Sequence, residues 1–204
     1  MRTALYALEN RKFEETYLHM PRCMPISQWN DMLLRGTGIS EVAEKIDELS
    51  PADAVCEADQ VFLSGSAAGV ILGLCIADCA VSFYEIRAAD FFFADLSANP
   101  PALDGLEEEM QDAWKFFCKI ADVSALYRKH LPWWIDEAAR SRSSFAGLLT
   151  PAEAQLTGKY QSQLFQLLTA SPAPSDPEDT ERLLEFITDA GSRGCRVLGW
   201  EPGT

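Results

Sequence analysis

From Val61 to Ala77 the chain runs seventeen residues without a charged side chain, and Asp78 ends the run. Gly65, Gly69 and Gly73 recur within it at every fourth position, and Cys75 and Cys79 keep the same spacing. A membrane span needs about 20 apolar residues, and much of this run is only weakly hydrophobic Gly, Ser and Ala. Arg87 is the one nearby base that would anchor a span. The pattern therefore predicts a buried helix. On a helix, the three glycines and Ala77 form a stripe without side chains, along which another backbone can approach closely. Each interior glycine costs about 0.5–1 kcal/mol relative to alanine, so close packing is expected to offset it. The expectation is a buried, Gly-rich central helix. Val70, Leu74 and Val81 would fill its other faces, and Asp78, Ser82 and Glu85 would mark where it meets solvent or pairs. The stripe Gly65, Gly69, Gly73 also offers a homodimer contact.

Three helix starts are legible. Ser50-Pro51-Ala52-Asp53 and Thr150-Pro151-Ala152-Glu153 each place a hydroxyl at the cap, proline at the first helical position and an acid at the third. The hydroxyl accepts an orphan N–H, proline has no N–H to lose there, and the acid complements the helix dipole. Asp176-Pro177-Glu178-Asp179 repeats the logic with Asp as cap. Apolar periodicity predicts a helix over about 104–121 with Leu106, Met110, Ala113, Phe117 and Ile120 on one stripe. Two more are predicted, over about 151–169 and over about 178–190, the last stopped by Gly191 or Gly194. Residues 39–49 and 89–96 are shorter candidates. The segments 3–8 and 195–200 read as strands, and 80–86 is strand-like in composition yet continuous with the glycine helix.

The fold class is therefore mainly α, with α+β also compatible, and a small sheet would join the N- and C-terminal strands. An apolar fraction of 48% over 204 residues suits one globular domain spanning 1–204. Proline and serine at 170–177 suggest a mobile linker, and 98–101 a second one.

The chain carries 31 acidic against 17 basic residues, a net charge of −14, and the stretch 51–100 has Arg87 as its only base. That field disfavours nucleic-acid and membrane-surface binding, and favours a basic protein partner or simply keeps the chain in solution. The N-terminus shows no sustained apolar core of a secretory signal. Six cysteines lie scattered in apolar segments, as buried thiols of a reducing compartment do. A cytoplasmic location is expected.

Chemistry is hard to find. His19 and His130 are the only histidines. His19–Cys23 and Cys75–Cys79 are i, i+4 pairs, but Pro21 breaks the first and the second has no histidine near, so no metal is expected. No G-x-S-x-G, G-x-G-x-x-G or P-loop is present, and no cofactor is expected. A cysteine meeting His19 or His130 in space would be invisible in sequence.

Interaction features are clearer. Asp104, Glu107, Glu108, Glu109 and Asp112 place five acids in nine residues without a base. They suit a helix start, or an acidic face for a basic protein. Trp133 and Trp134 point about 100° apart on a helix, so one is a candidate exposed anchor; burial of both at a helix junction accounts for them as well. The triple Phe91-Phe92-Phe93 poses the same geometry. The profile is similar in kind to small, acidic, cysteine-containing inhibitors such as bacterial toxin-immunity proteins, a likeness of character that no motif carries. The sequence thus favours a non-enzymatic acidic binding protein that neutralises or occludes a basic partner (a toxin or effector, for an immunity protein), docked through Asp104, Glu107, Glu108, Glu109, Asp112, Trp133 and Trp134. The alternative is a small cytoplasmic enzyme or ligand-binding protein with an interhelical pocket built on a Cys/His or carboxylate site.

Overall fold

The computed structural model describes residues 3–36, 54–57, 59–86, 101–121, 130–142, 146–170 and 176–200. The short helices expected at 39–49 and 89–96, the phenylalanine triple and the linker residues 171–175 lie outside them. The fold is mainly helical, with two small antiparallel sheets.

In chain order the elements are β1 (Thr3–Leu8), α1 (Asn10–Phe13), a π-helical turn (Glu14–Leu18), β2 (Cys23–Pro25), α2 (Ile26–Gly36), β3 (Ala54–Glu57), β4 (Gln60–Leu63), α3 (Gly65–Cys79) and β5 (Ala80–Ile86). There follow α4 (Glu108–Ala121), α5 (Trp133–Arg142), β6 (Ala146–Leu149), α6 (Pro151–Lys159), α7 (Gln161–Thr169), α8 (Pro177–Ser192) and β7 (Arg196–Trp200).

The larger sheet has the order β5-β1-β7-β6, and every pairing is antiparallel. Leu5 lies opposite Tyr84 on one side and Gly199 on the other, while Leu148 faces Leu198. The period-two alternation of strands sends neighbouring side chains to opposite faces. Tyr6, Leu148, Leu198 and Trp200 join a core with α1, α2, α3 and α5. Leu5, Ala7, Leu149 and Val197 join a second core with α4, α6, α7 and α8. The sheet is thus the middle layer between two sets of helices, which is why β6 and β7 are buried at every position.

The charge-free run divides between two elements. Val61, Phe62 and Leu63 belong to β4, paired with β2 and β3, and the helix begins only at Gly65. No helix among the described residues is long and apolar enough to cross a membrane. In α3 the buried positions are Ala67, Ala68, Val70, Ile71, Leu72, Leu74, Cys75 and Cys79, whereas Gly65, Gly69 and Gly73 are half-buried and Ala77 is exposed. Backbones approach closely at Gly147 and Gly191. A Cβ on Gly147 would lie 2.0 Å from the Lys119 carbonyl oxygen, so α4 rests directly on β6. A Cβ on Gly191 would lie 2.8 Å from the Ala154 carbonyl carbon, where α8 crosses α6.

Three helix expectations need correcting. The helix start expected at 50–53 lies outside the described residues, and beyond it residues 54–57 are strand β3 rather than helix, turning into β4 through Asp59 at φ 46°. The helix expected from 104 starts at Glu108, since Gly105 sits at φ 84° and interrupts it. The single helix expected over 151–169 is two, α6 and α7, broken at Tyr160 (φ −105°, ψ 19°). β5 follows α3 without a loop, Ala80 being already extended. The third helix start is as written in the sequence. Asp176 accepts from the Glu178 N–H, Pro177 opens α8, and Gly194 at φ 68° follows its end.

Candidate functional site: an acid-lined cleft beside the tryptophan pair

The cleft begins with the ending of the first helix. After Phe13 the chain widens into the π-helical turn Glu14–Leu18, and Pro21, two residues past His19, prevents further helix. Carbonyls beyond a helix end have no helical partner. Here two indoles supply donors: Trp134 Nε1 donates to the Tyr17 carbonyl at 2.9 Å, and Trp133 Nε1 donates to the Met20 carbonyl. The Tyr17 hydroxyl donates to Asp78 Oδ2 at 2.9 Å, and Lys12 Nζ reaches the Asp78 carbonyl at 2.9 Å. Burial and the neighbouring carboxylate both push the Tyr17 phenol up, so it stays protonated and donating. Asp78, which ended the apolar run, thereby ties α3 to this turn.

From the C-terminal strand, Arg196 reaches the same turn. Its Nη2 donates to Glu14 Oε1 at 2.7 Å, its guanidinium lies 5.0 Å from the Phe13 ring centre, and its side chain is 7% exposed. Its Nε is buried without a hydrogen-bond partner.

Between the turn and α2 lies a cleft of about 320 Å³, lined by Glu14, Glu15, Thr16, His19, Met20, Pro21, Gln28, Asp31 and Met32. Three carboxylates, and no lysine or arginine, belong to its lining. Met20 and Met32 are buried and Pro21 completes the apolar part. Glu15 is held by Arg11 at 2.8 Å, an exposed pair, while Asp31 makes no ion pair with any described residue. An acid rim over an apolar floor suits a cation carried on an aliphatic stem.

The residues singled out in sequence are not brought together. Glu108, Glu109 and Asp112 belong to the first turns of α4, with Asp104 and Glu107 in the segment just before it, on one side of the larger sheet. Trp133 and Trp134 belong to α5, on the other. Asp104, Glu107, Glu108 and Glu109 are exposed, but several are engaged. The Tyr160 hydroxyl lies 3.1 Å from Glu107 and 3.0 Å from Glu109, Lys159 also pairs with Glu109, and Lys115 with Asp112 at 2.7 Å. The Lys159 hydrogen bond, with that from Tyr160, holds the Glu109 carboxyl below its usual range. Trp134 is fully buried against Phe13 and Tyr17, so it presents no surface to a partner. Trp133 is half-buried with the Arg22 guanidinium over its ring at 5.1 Å.

Both histidines are exposed, and no described cysteine lines the cleft. Cys75 and Cys79 are buried; the Cys75 thiol donates to Cys79, which lowers Cys79, while burial raises Cys75. Among the described residues no group of three His, Cys, Asp or Glu side chains is placed to hold a metal ion. The cleft residues Glu14, Glu15 and Asp31 escaped the sequence reading because they are one adjacent pair and one single acid in two separate segments; five acids clustered in nine residues drew attention to the region of α4 instead.

Comparison with protein-family models, with curated proteins and with solved structures finds no match to this chain.

Proposed function

We propose that this is a non-enzymatic acidic binding protein that occludes a basic protein partner in the cytoplasm, as an immunity-type inhibitor does. The observation that carries the reading is the cleft beside Trp133, lined by Glu14, Glu15 and Asp31 over Met20 and Met32, with His19 but no lysine or arginine in its lining. A net charge of −14 adds a field that accelerates encounter with a basic surface and repels acidic ones. The exposed acids Asp104 and Glu108 extend that field to the opposite side of the sheet.

The test begins with proteins from the source cells that bind the immobilised chain at low salt. Each is identified, purified and titrated against the chain by calorimetry over a range of salt. The proposal expects a purified partner of basic isoelectric point whose affinity falls steeply as salt rises. It is overturned if no purified protein binds, or if the one that binds is indifferent to salt.

A further inference from the structure

The cleft is more specific than its charge. Glu14 and Glu15 occupy the π-helical wall and Asp31 the wall formed by α2, so the carboxylates approach from two sides. A lysine ammonium is a compact point charge. A guanidinium is a flat fork with five donors, able to serve carboxylates on different sides at once. Glu14 already accepts a guanidinium on one flank, from Arg196 at 2.7 Å, which fixes its carboxylate while leaving further acceptor positions. Met20, Met32 and Pro21 supply a polarisable apolar surface for the stem and the flat face of such a side chain. The neighbouring half-buried Trp133 already carries the Arg22 guanidinium over its ring. The volume of about 320 Å³ admits one long side chain and excludes a folded domain.

We infer that this cleft receives a single arginine side chain projecting from the basic partner, its guanidinium between Asp31 and the Glu14–Glu15 wall and its stem on Met20 and Met32. The inference rests on the binding reading above. Arg11, exposed and bound to Glu15 at 2.8 Å, is the internal cation that the incoming arginine displaces or joins.

The test is a titration of the full chain, with methyl-labelled methionine, by N-acetyl-arginine amide and separately by N-acetyl-lysine amide. The Met20 and Met32 methyl signals, assigned by substitution, should shift saturably with the arginine amide and clearly less with the lysine amide. Asp31→Asn and Glu15→Gln alter exposed side chains and should keep the fold, which the unchanged remainder of the spectrum would verify. Each should weaken the arginine titration by about fivefold, the scale of one exposed ion pair. Methyl signals that do not move, equal response to both amides, or an Asp31→Asn titration identical to the parent would each overturn the inference. A purified basic partner that still binds after such a failure would leave the broader reading standing. Capture of arginine amide with no protein partner would sink that reading instead.

Discussion

At Lys119 one residue does two jobs. Its carbonyl rests on Gly147, and its ammonium lies 2.5 Å from Glu153 in a largely buried pair. Gly147→Ala would drive a methyl group into that carbonyl and should cost at least about 3 kcal/mol in a denaturant titration. Gly105→Ala is the contrast. No atom lies within 4 Å of its added Cβ, and only its φ of 84° is at stake, so about 1–2 kcal/mol is expected. Equal losses would refute the close approach of α4 to β6. Arg196 and Glu14 give a second asymmetry. Glu14→Ala strands a buried guanidinium whose Nε already lacks a partner, and should cost about 2–3 kcal/mol. Arg196→Met leaves a carboxylate that is 47% exposed and can rehydrate, so it should cost about 1 kcal/mol or less. The reverse order in melting experiments would contradict the account of this pair.

At the level of elements, local rules were read most easily where one residue carries one role. Thr150 and Glu153 form the full reciprocal capping box, with Thr150 N–H to Glu153 at 2.8 Å and Glu153 N–H to Thr150 Oγ1 at 3.3 Å. Thr150→Ala should therefore cost about 1 kcal/mol, checked by chemical denaturation. The similar motif at Ser50-Pro51 gave no hint that residues 54–57 beyond it are claimed by β pairing with Val61 and Phe62. Strands β2 to β4 left little trace because they are three or four residues long and β4 merges with the apolar run. The break at Tyr160 was equally hidden, as its hydroxyl answers to Glu107 and Glu109 some fifty positions away. That junction has a pH signature. The lowered Glu109 carboxyl stabilises the fold above the ordinary glutamate value of about 4.3, and the contribution is lost as pH falls through the lowered value. The raised Lys159 contributes below its ordinary value and loses that contribution only in strong alkali. The stability gap between the parent and Glu109→Gln should hence be widest near neutrality and close on acidification. A gap that widens in acid would count against it.

Across the whole molecule, the sheet decides which surfaces cooperate. It separates the acids of α4 from the tryptophans of α5, and joins Arg196 of the last strand to Glu14 near the N-terminus. Charge sign, the strands at 3–8 and 195–200, and the stripe of α4 were all legible in the sequence, because each depends on local pattern. The cleft was not. It needs a π-helical turn and the residues after it, whose Tyr17 and Met20 carbonyls are taken by indoles more than a hundred positions away, and no periodicity encodes such a contact. The split also sharpens the functional claim, since docking through the cleft should tolerate loss of the α4 acids. Glu108→Gln, distant from the cleft across the sheet, is expected to reduce affinity for a basic partner only slightly and mainly at low salt. The decisive measurement is the affinity of the purified basic partner for the parent chain and for the Asp31→Asn, Glu15→Gln double variant, followed as salt is raised. The account predicts a steep salt dependence for the parent and markedly weaker binding, with a shallower slope, for the variant. Identical curves for the two proteins, or curves flat in salt, would contradict it.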